Sequence, residues 1–203
     1  MLPINSKYIK SSDSIYHDKE FLKYHVGRKS LHAVINNING LLYNNSYNLL
    51  LYFDESMDYI DLSLIKDNVE YIEIIYNSNC NVNKMAMISC ENKQNLKEIT
   101  FTFNTQEKIY CTFINCASNI TIKGGNNVST YINTLYYFSI RAYNTNSICI
   151  SDSCMNNLEL EKIEGLTLNN TSYKKNGVRI GPITKDIRQI YKLSIENIES
   201  YTR

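Results

Sequence analysis

A mixed spacing of apolar residues recurs along the chain and constrains its fold more than any other feature. In NLKEITFTFN (95–104), apolar residues stand at Leu96, Ile99 and Phe101, and Asn104 closes the run. The first gap is three residues and the next is two, so neither a helix period nor a strand period accounts for it. Such a stretch is typical of a turn of backbone that leads into a short strand. It therefore predicts one coil of a solenoid, and further coils should carry the same pattern.

The pattern recurs at intervals that suit a solenoid. Its second apolar position falls at residues 50, 72, 99, 120, 138, 158 and 193, with Leu166 as a second choice near the end. Most of the intervals lie near the range of about 20 to 29 residues found in one solenoid family. A single coil cannot bury its own apolar face, so several coils must stack, and their strands should then pair into a parallel sheet.

Two of the matches, NVEYIEIIYN (68–77) and LKEITFTFN (96–104), resemble the leucine-rich repeat consensus L-x-x-L-x-L-x-x-N/C-x-L. The resemblance covers roughly residues 47–203, with Ile and Phe in place of much of the Leu and with asparagine kept at Asn77 and Asn104. It implies an α/β solenoid, an irregular leucine-rich repeat array with a parallel sheet. A parallel β-helix is the alternative, because it also places short strands at about this period.

The N-terminal part of the chain lacks the repeat. Within residues 18–42, apolar residues such as Phe21 and Leu31 follow a roughly helical spacing. We therefore expect an N-terminal helical cap within residues 1–43, which would cover the first coil, and a solenoid over residues 44–203.

The C-terminal end carries a last match to the repeat, IYKLSIENI (190–198), with no evident cap after it. We expect an exposed last coil there, unless the sequence is a fragment. An open coil edge presents unpaired backbone groups. Self-association through this edge is therefore a further expectation.

Composition and charge exclude several classes of function. The formal net charge is +1, from 21 basic and 20 acidic residues, which gives no overall field for nucleic acid or an anionic membrane. No stretch approaches the roughly 18 apolar residues needed to cross a bilayer, and the N-terminus lacks the apolar core of a signal peptide. We expect a cytoplasmic protein with no nucleic-acid or membrane partner, and its cysteines reduced and mostly buried.

No cluster of residues has the spacing of a catalytic, cofactor or metal site. The three histidines lack the H-x-x-x-H spacing and the cysteines lack C-x-x-C. The carboxylates of FDESMDYID (53–61) do not match a calcium loop and are typical of a solvated loop. IKGGNN (122–127) lacks the spacing of a phosphate loop and predicts a tight turn with positive φ at Gly124 or Gly125. We therefore expect a protein that is not an enzyme and that requires no cofactor or metal.

Alternate residues of each predicted strand point away from the core and stack into one surface. This surface is apolar at its first end, rich in threonine and then basic in the middle, and acidic at its far end. Such a surface can bind a protein partner of complementary polarity, and apolar, aromatic and arginine side chains commonly dominate such contacts. The predicted partner-binding residues are Phe53, Ile75, Thr100, Thr102, Thr121, Lys123, Ser139 and Arg141.

The sequence thus predicts a protein–protein interaction module that binds its partner on the strand surface of the solenoid. A structural subunit of a larger assembly is the first alternative. A β-helix enzyme acting on a polysaccharide is a less favoured one. Such an enzyme would place two acids side by side on one face, and Glu159 and Glu161 are the nearest candidates.

Overall fold

In the computed structural model, short strands stack in parallel as the rungs of a solenoid. The structure describes residues 9–10, 20–26, 35–36, 47–53, 59–77, 84–89, 95–104, 109–114, 119–125, 127–134 and 137–201. The strands are β1 (Ile9–Lys10), β2 (Glu20–Val26), β3 (Tyr47–Phe53), β4 (Tyr59–Asp61), β5 (Val69–Tyr76), β6 (Lys84–Ser89), β7 (Glu98–Phe103), β8 (Ile109–Ile114), β9 (Asn119–Gly124), β10 (Val128–Asn133), β11 (Tyr137–Ser151), β12 (Cys154–Lys175) and β13 (Val178–Ser194). A 3₁₀ helix over Ile195–Asn197 follows.

The strands form two parallel rows on either side of one core. The first row is β2, β3, β5, β7 and β9, and the second is β4, β6, β8 and β10. Strand β11 belongs to both rows, because residues 139–143 pair with β9 and residues 147–151 pair with β10. Strand β12 then pairs in parallel with β11 along most of the length of β11. The coils β3–β4, β5–β6, β7–β8 and β9–β10 therefore each contribute one strand to each row.

This architecture confirms the predicted solenoid and its parallel sheet, and it fits the parallel β-helix alternative. The α/β form expected of a leucine-rich repeat array is wrong, because the second limb of each coil from β3 onward is a strand. Polar and apolar residues alternate in IYCTFI (109–114) and VSTYIN (128–133), as in half-buried strands. Our repeat pattern followed one strand per coil and left this second strand out.

The predicted N-terminal helical cap is also wrong where the structure describes it. Residues 20–26 form β2, which pairs in parallel with β3, so the first row extends into the segment assigned to the cap. Leu22 and Val26 are buried from alternating positions of this strand. Only residues 35–36 of the described part of that segment are helical. No helix among the described residues is both long and apolar enough to span a membrane.

The C-terminal match to the repeat does not form another parallel coil. Strand β13 turns back and runs antiparallel to β12, with Leu193 opposite Leu160 and Ile190 opposite Ile163. Ile195 is buried after it, in the 3₁₀ helix. Residues 190–198 therefore do not form the parallel last coil that we expected to be exposed; β13 covers the edge of β12, and among the described strands it pairs only with β12.

One apolar position repeats from rung to rung and sets the register of the first row. The residues at this position are Leu49, Ile72, Ile99, Ile120, Ile140 and Leu158. The predicted anchors at 72, 99, 120 and 158 are thus confirmed, whereas those at 50 and 138 are displaced by one and two residues. The anchor at 50 is misplaced because Leu49, Leu50 and Leu51 are all apolar, so the sequence does not show which of them point into the core. The anchor at 138 is misplaced by two residues because Phe138 is buried on the same side of β11 as Ile140.

Aromatic side chains join the two rows in the middle of the core. The rings of Phe101 in β7 and Phe113 in β8 meet edge to face, with centroids 6.3 Å apart. Phe101 also stacks on Phe103 at 4.6 Å, and Phe103 packs against Tyr76 of the preceding rung at 6.0 Å. Aromatic pairs of this geometry are worth about 0.5–1.5 kcal/mol beyond the area they bury. Aromatic contacts therefore join the two rows within the β7–β8 coil and connect that coil to β5 of the preceding one.

The corner after each strand of the first row is where the chain turns toward the second row. Asn104 Nδ2 donates a hydrogen bond to Asn77 Oδ1 of the preceding rung at 3.0 Å, so the two asparagines of the repeat stack directly. One rung after Asn104, Gly124 and Gly125 have φ of 71° and 76°, which confirms the predicted tight turn. The next corner positions, Asn144 and Lys162, also have positive φ. The corner thus requires a backbone conformation that glycine and asparagine adopt most readily.

The inward position of Phe53 can be tested against its outward neighbour Tyr52. Phe53 is fully buried, whereas Tyr52 stacks on His25 of β2 at the outer surface, with ring centroids 5.0 Å apart. We expect Phe53→Ala to lower the free energy of unfolding by about 3–5 kcal/mol and Tyr52→Ala by about 1 kcal/mol. Urea unfolding followed by circular dichroism measures both. Equal losses for the two variants would contradict the register of β3.

The buried Tyr173 of β12 should make the C-terminal coil less stable at alkaline pH. Burial, and after it the Glu199 carboxylate, raises the pKa of Tyr173 to about 12 from an ordinary value of 10.0. The folded state thus holds this proton more tightly than the unfolded state. Its contribution is complete below about pH 10 and is lost as the pH rises toward 12. We expect the wild type to lose stability over this interval faster than Tyr173→Phe, in unfolding curves recorded at each pH. Tyr191→Phe, at an exposed position, should behave as the wild type.

Candidate functional site

The outer surface of the first row carries two columns of side chains, which we call the strand face. Strand pairing places Leu50, Glu73, Thr100, Thr121, Arg141 and Glu159 in the first column. The second column contains His25, Tyr52, Ile75, Thr102, Lys123, Tyr143 and Glu161. The predicted surface therefore exists, and six of the eight predicted residues lie in its two columns.

Two predicted residues lie elsewhere. Phe53 points into the core, and the outward position beside it belongs to Tyr52. Ser139 aligns with Asn119, two residues before the first column, so Arg141 occupies the place next to Thr121 that we had given to Ser139. In a strand, a slip of one residue moves a side chain to the opposite face, and a slip of two residues moves it along the same face.

Burial divides the remaining predicted residues into two groups. Thr100 and Thr121 point away from the core but are buried, so they are not surface contacts. Ile75, Thr102 and Lys123 are half-buried, and Arg141 is exposed. The accessible part of the strand face is therefore its second column, together with Arg141 and Glu159 of the first.

A buried polar contact lies beneath the accessible part of this surface. The hydroxyl of Thr121 donates a hydrogen bond to Glu98 Oε1 on the neighbouring strand at 2.6 Å, and both residues are buried. A buried carboxylate is tolerated where donors satisfy its oxygens, and a bond to a charged group is stronger than a neutral one. The hydrogen bond from Thr121 thus holds the Glu98 side chain in place. Thr121 therefore stabilises the strands that carry the surface and does not itself contact a partner. The sequence offered no signal for this pair, because the two residues are 23 apart.

A cleft of about 350 Å³ opens on the strand face where β9 and β11 meet the corner. Lys123 and Arg141, two predicted residues, line it together with the predicted Thr121 at its base. Tyr143 and Asn144 also line the cleft, and the sequence analysis did not identify either of them. The missed signal was the turn: Gly124 and Asn144 both have positive φ, and aligning these two residues would have placed Tyr143 beside Lys123.

The charges of this cleft are only partly balanced. Arg141 Nε lies 3.1 Å from Glu159 Oε2, and the two side chains are 46% and 44% exposed. Asn157 Nδ2 also donates to Glu159, at 3.0 Å. A salt bridge this exposed is worth about 0.2–1 kcal/mol, so a ligand could compete for Arg141. Lys123 makes no salt bridge with any described residue.

The hydroxyl of Tyr143 provides a neutral hydrogen-bond donor at the edge of the cleft. Burial raises the pKa of Tyr143, and the Glu159 carboxylate raises it further, while Arg141 opposes them. The phenol therefore keeps its proton over the physiological pH range. Together with Lys123 and Arg141, it gives the cleft three side chains that donate hydrogen bonds. Such a cleft suits carboxylate or carbonyl oxygens of a ligand.

The carboxylates suggested for an enzyme, Glu159 and Glu161, do stand on one face of β12. They are two residues apart on a single strand, and Glu159 already binds Arg141 and Asn157. This is the arrangement of an ion pair on a surface. Among the described residues, no group of three or more His, Cys, Asp or Glu side chains could hold a metal ion.

The cysteines and histidines set aside in the sequence analysis lie away from this cleft where the structure describes them. Cys111 is buried, and burial raises its pKa well above the usual thiol range. Cys149 and Cys154 are half-buried. His25 is occupied by its stacking on Tyr52. The remaining cysteines and histidines, and the carboxylates of residues 54–58, fall outside the residues that the structure describes.

Comparison with known proteins adds no relative. No family model, no curated protein and no solved structure matches the chain. Membership of the leucine-rich repeat family therefore stays a prediction from the sequence.

The support given by Thr121 can be measured through the stability of the protein. Thr121→Val keeps the shape of the side chain but leaves the buried Glu98 oxygen without its donor, which should cost about 1–3 kcal/mol of unfolding free energy. Thr102→Val is the matched control, because Thr102 is half-buried one column away and should change stability by less than about 0.5 kcal/mol. Urea unfolding at neutral pH compares them. Indistinguishable curves for both variants and the wild type would show that the Thr121–Glu98 bond contributes nothing.

Proposed function

We propose that this protein is a non-enzymatic protein–protein interaction module whose partner binds on the strand face, centred on the cleft at Lys123 and Arg141. The observation that carries the proposal is the meeting of these two cations with the Tyr143 hydroxyl on adjacent strands. The cleft is built on paired strands, which hold side chains more firmly than a loop does. We further propose that the protein is cytoplasmic, as the sequence predicts.

The chemistry of the strand face indicates what such a partner should present. Lys123 makes no salt bridge among the described residues, and Arg141 shares an exposed one, so an acidic side chain is the natural complement. Toward the N-terminal end the second column becomes apolar and aromatic at Ile75 and Tyr52. Neighbouring strands are about 4.8 Å apart, so an extended segment lying across them meets one side chain of the column per strand. We therefore propose an extended partner segment with acidic residues at one end and apolar residues at the other.

The alternative of a structural subunit draws on a different observation. Strand β13 is 17 residues long and pairs only with β12 among the described strands, which leaves its outer edge for another chain. Several basic side chains of β13, such as Arg188 and Lys192, are exposed and would repel their copies in a symmetric pair. We therefore rank self-association through this edge below binding on the strand face.

The proposal is tested by reversing the two cations of the cleft. We expect Lys123→Glu with Arg141→Glu to weaken partner binding by at least about tenfold, because it repels an acidic segment and removes a central contact. Partners are first isolated by affinity capture with the wild type from extract of the source cells. The affinity of each purified partner for wild type and variants is then measured by isothermal titration calorimetry.

A control pair carries the same change of charge away from the cleft. Lys66→Glu with Arg188→Glu alters two exposed residues, one in the turn before β5 and one on β13. The control should bind as the wild type does, and circular dichroism should show all three proteins folded. If the control pair loses as much affinity as the cleft pair, the effect is one of overall charge and the strand face is not the site. If the captured partner is a second copy of this chain, the result favours the structural-subunit alternative over binding of a different protein.

A further inference from the structure

A second and larger cleft, of about 500 Å³, lies at the corner between the two rows in the last coils. We call it the corner cleft. It is lined by Asn144 of β11, Lys162 and Glu164 of β12, and Gln189 and Tyr191 of β13. Its volume falls within the range of about 300–1,000 Å³ that is usual for small-molecule sites. It is separate from the strand-face cleft except at Asn144, which borders both.

The backbone at this corner holds two residues in a conformation they rarely adopt. Six non-glycine residues of the described chain have positive φ, and four of them are Asn or Asp, which tolerate it. The two exceptions are Lys162 and Gln189, with φ of 55° and 52°, and both line the corner cleft. Glycine would adopt this conformation without strain, as Gly124 does in an earlier coil. Strained residues of this kind are found disproportionately at functional sites, where the side chain itself is used.

Charged and amide side chains line the corner cleft, and the hydroxyl of Thr145, which also lines it, donates a hydrogen bond to the Val128 carbonyl. Among the described residues, the side chains of Lys162, Glu164 and Gln189 form no hydrogen bond or salt bridge. The ammonium group of Lys162 donates hydrogen bonds, and the carboxylate of Glu164 accepts them. The amide of Gln189 can do both. One positive and one negative charge line the cleft, so it has no net charge. A ligand that matches the cleft is therefore neutral and carries many groups that both donate and accept hydrogen bonds.

Tyr191 adds a flat apolar surface beside these groups. Its side chain is 72% exposed. Since Glu161 pairs with Lys192 and Ile163 with Ile190, Tyr191 lies opposite Lys162 at the same level of the corner. An exposed aromatic ring next to free polar groups suits a ligand with one apolar face and a polar rim. A pyranose ring has this shape, with C–H groups on its faces and hydroxyls around its edge.

We propose that the corner cleft binds a neutral oligosaccharide, with one sugar ring stacked on Tyr191 and its hydroxyls bound by Lys162, Glu164 and Gln189. This site is independent of the proposed partner site, since it uses a different cleft and different side chains. The volume accommodates more than one sugar ring. Binding requires no chemical step, so the site is one of recognition.

The experiment is a titration of the full chain with three neutral trisaccharides: maltotriose, cellotriose and N,N′,N″-triacetylchitotriose. Shifts of backbone amide signals in nuclear magnetic resonance spectra give both the affinity and the location. We expect at least one of them to bind saturably at millimolar concentration and to shift signals of Lys162, Gln189 and Tyr191. Tyr191→Ala should weaken this binding about tenfold, the effect of losing one aromatic contact. Tyr191→Phe keeps the ring and should bind nearly as well as the wild type.

Tyr131→Ala is the matched control, because Tyr131 is also an exposed tyrosine but lies on β10, away from the corner cleft. It should bind like the wild type. The proposal is overturned if none of the three trisaccharides binds saturably, or if Tyr131→Ala loses as much affinity as Tyr191→Ala. Tighter binding of the anionic trigalacturonate than of every neutral probe would also overturn it, since Lys162 and Glu164 leave the cleft without net charge. None of these outcomes depends on whether a protein binds the strand face.

Discussion

The structure depends on one constraint, the parallel pairing of each strand with the equivalent strand of the next coil. Pairing in register places the same position of every coil in one column, so a residue is buried or exposed together with its neighbours above and below. An inward column of the first row consists of Leu51, Ile74, Phe101, Ile122, Ala142 and Leu160. Such a column stays apolar throughout because one polar member would lie between two apolar layers without a partner. The turns between strands face no such requirement, which is why the coils differ in length.

The same constraint produces both clefts. Outward residues of adjacent strands are brought within contact distance although they are about 20 residues apart in sequence, as Lys123 and Arg141 are. At the corner the chain must change direction in every coil, so positive φ recurs at one level of the stack. Side chains placed there lie in a row beside the groove between the two rows of strands. The strand face and the corner cleft are thus two consequences of stacking, one of the strands and one of the turns.

The sequence predicted the middle coils well and the two ends poorly, for reasons that lie in particular residues. At Ile99 and Ile120 a single apolar residue stands between two polar ones, so the inward position is unambiguous. At residues 49–51 three leucines follow one another, and the choice among them decides whether Phe53 faces the core or the surface. In β2 the spacing of apolar residues suits a helix as well as a strand, and only pairing with β3 decides between them.

By itself the sequence determined that the chain repeats, that its buried positions recur at strand spacing, and that a tight turn with positive φ lies at Gly124 or Gly125. These are local properties, since each is set by residues within a few positions of one another. The tertiary structure decided what depends on distant neighbours. It placed a second strand in each coil, buried the outward-facing Thr121 against Glu98, and turned β13 antiparallel to β12. It also joined Lys162 with Tyr191 and Lys123 with Tyr143, because strand register, which no single stretch of sequence contains, determines which outward side chains meet.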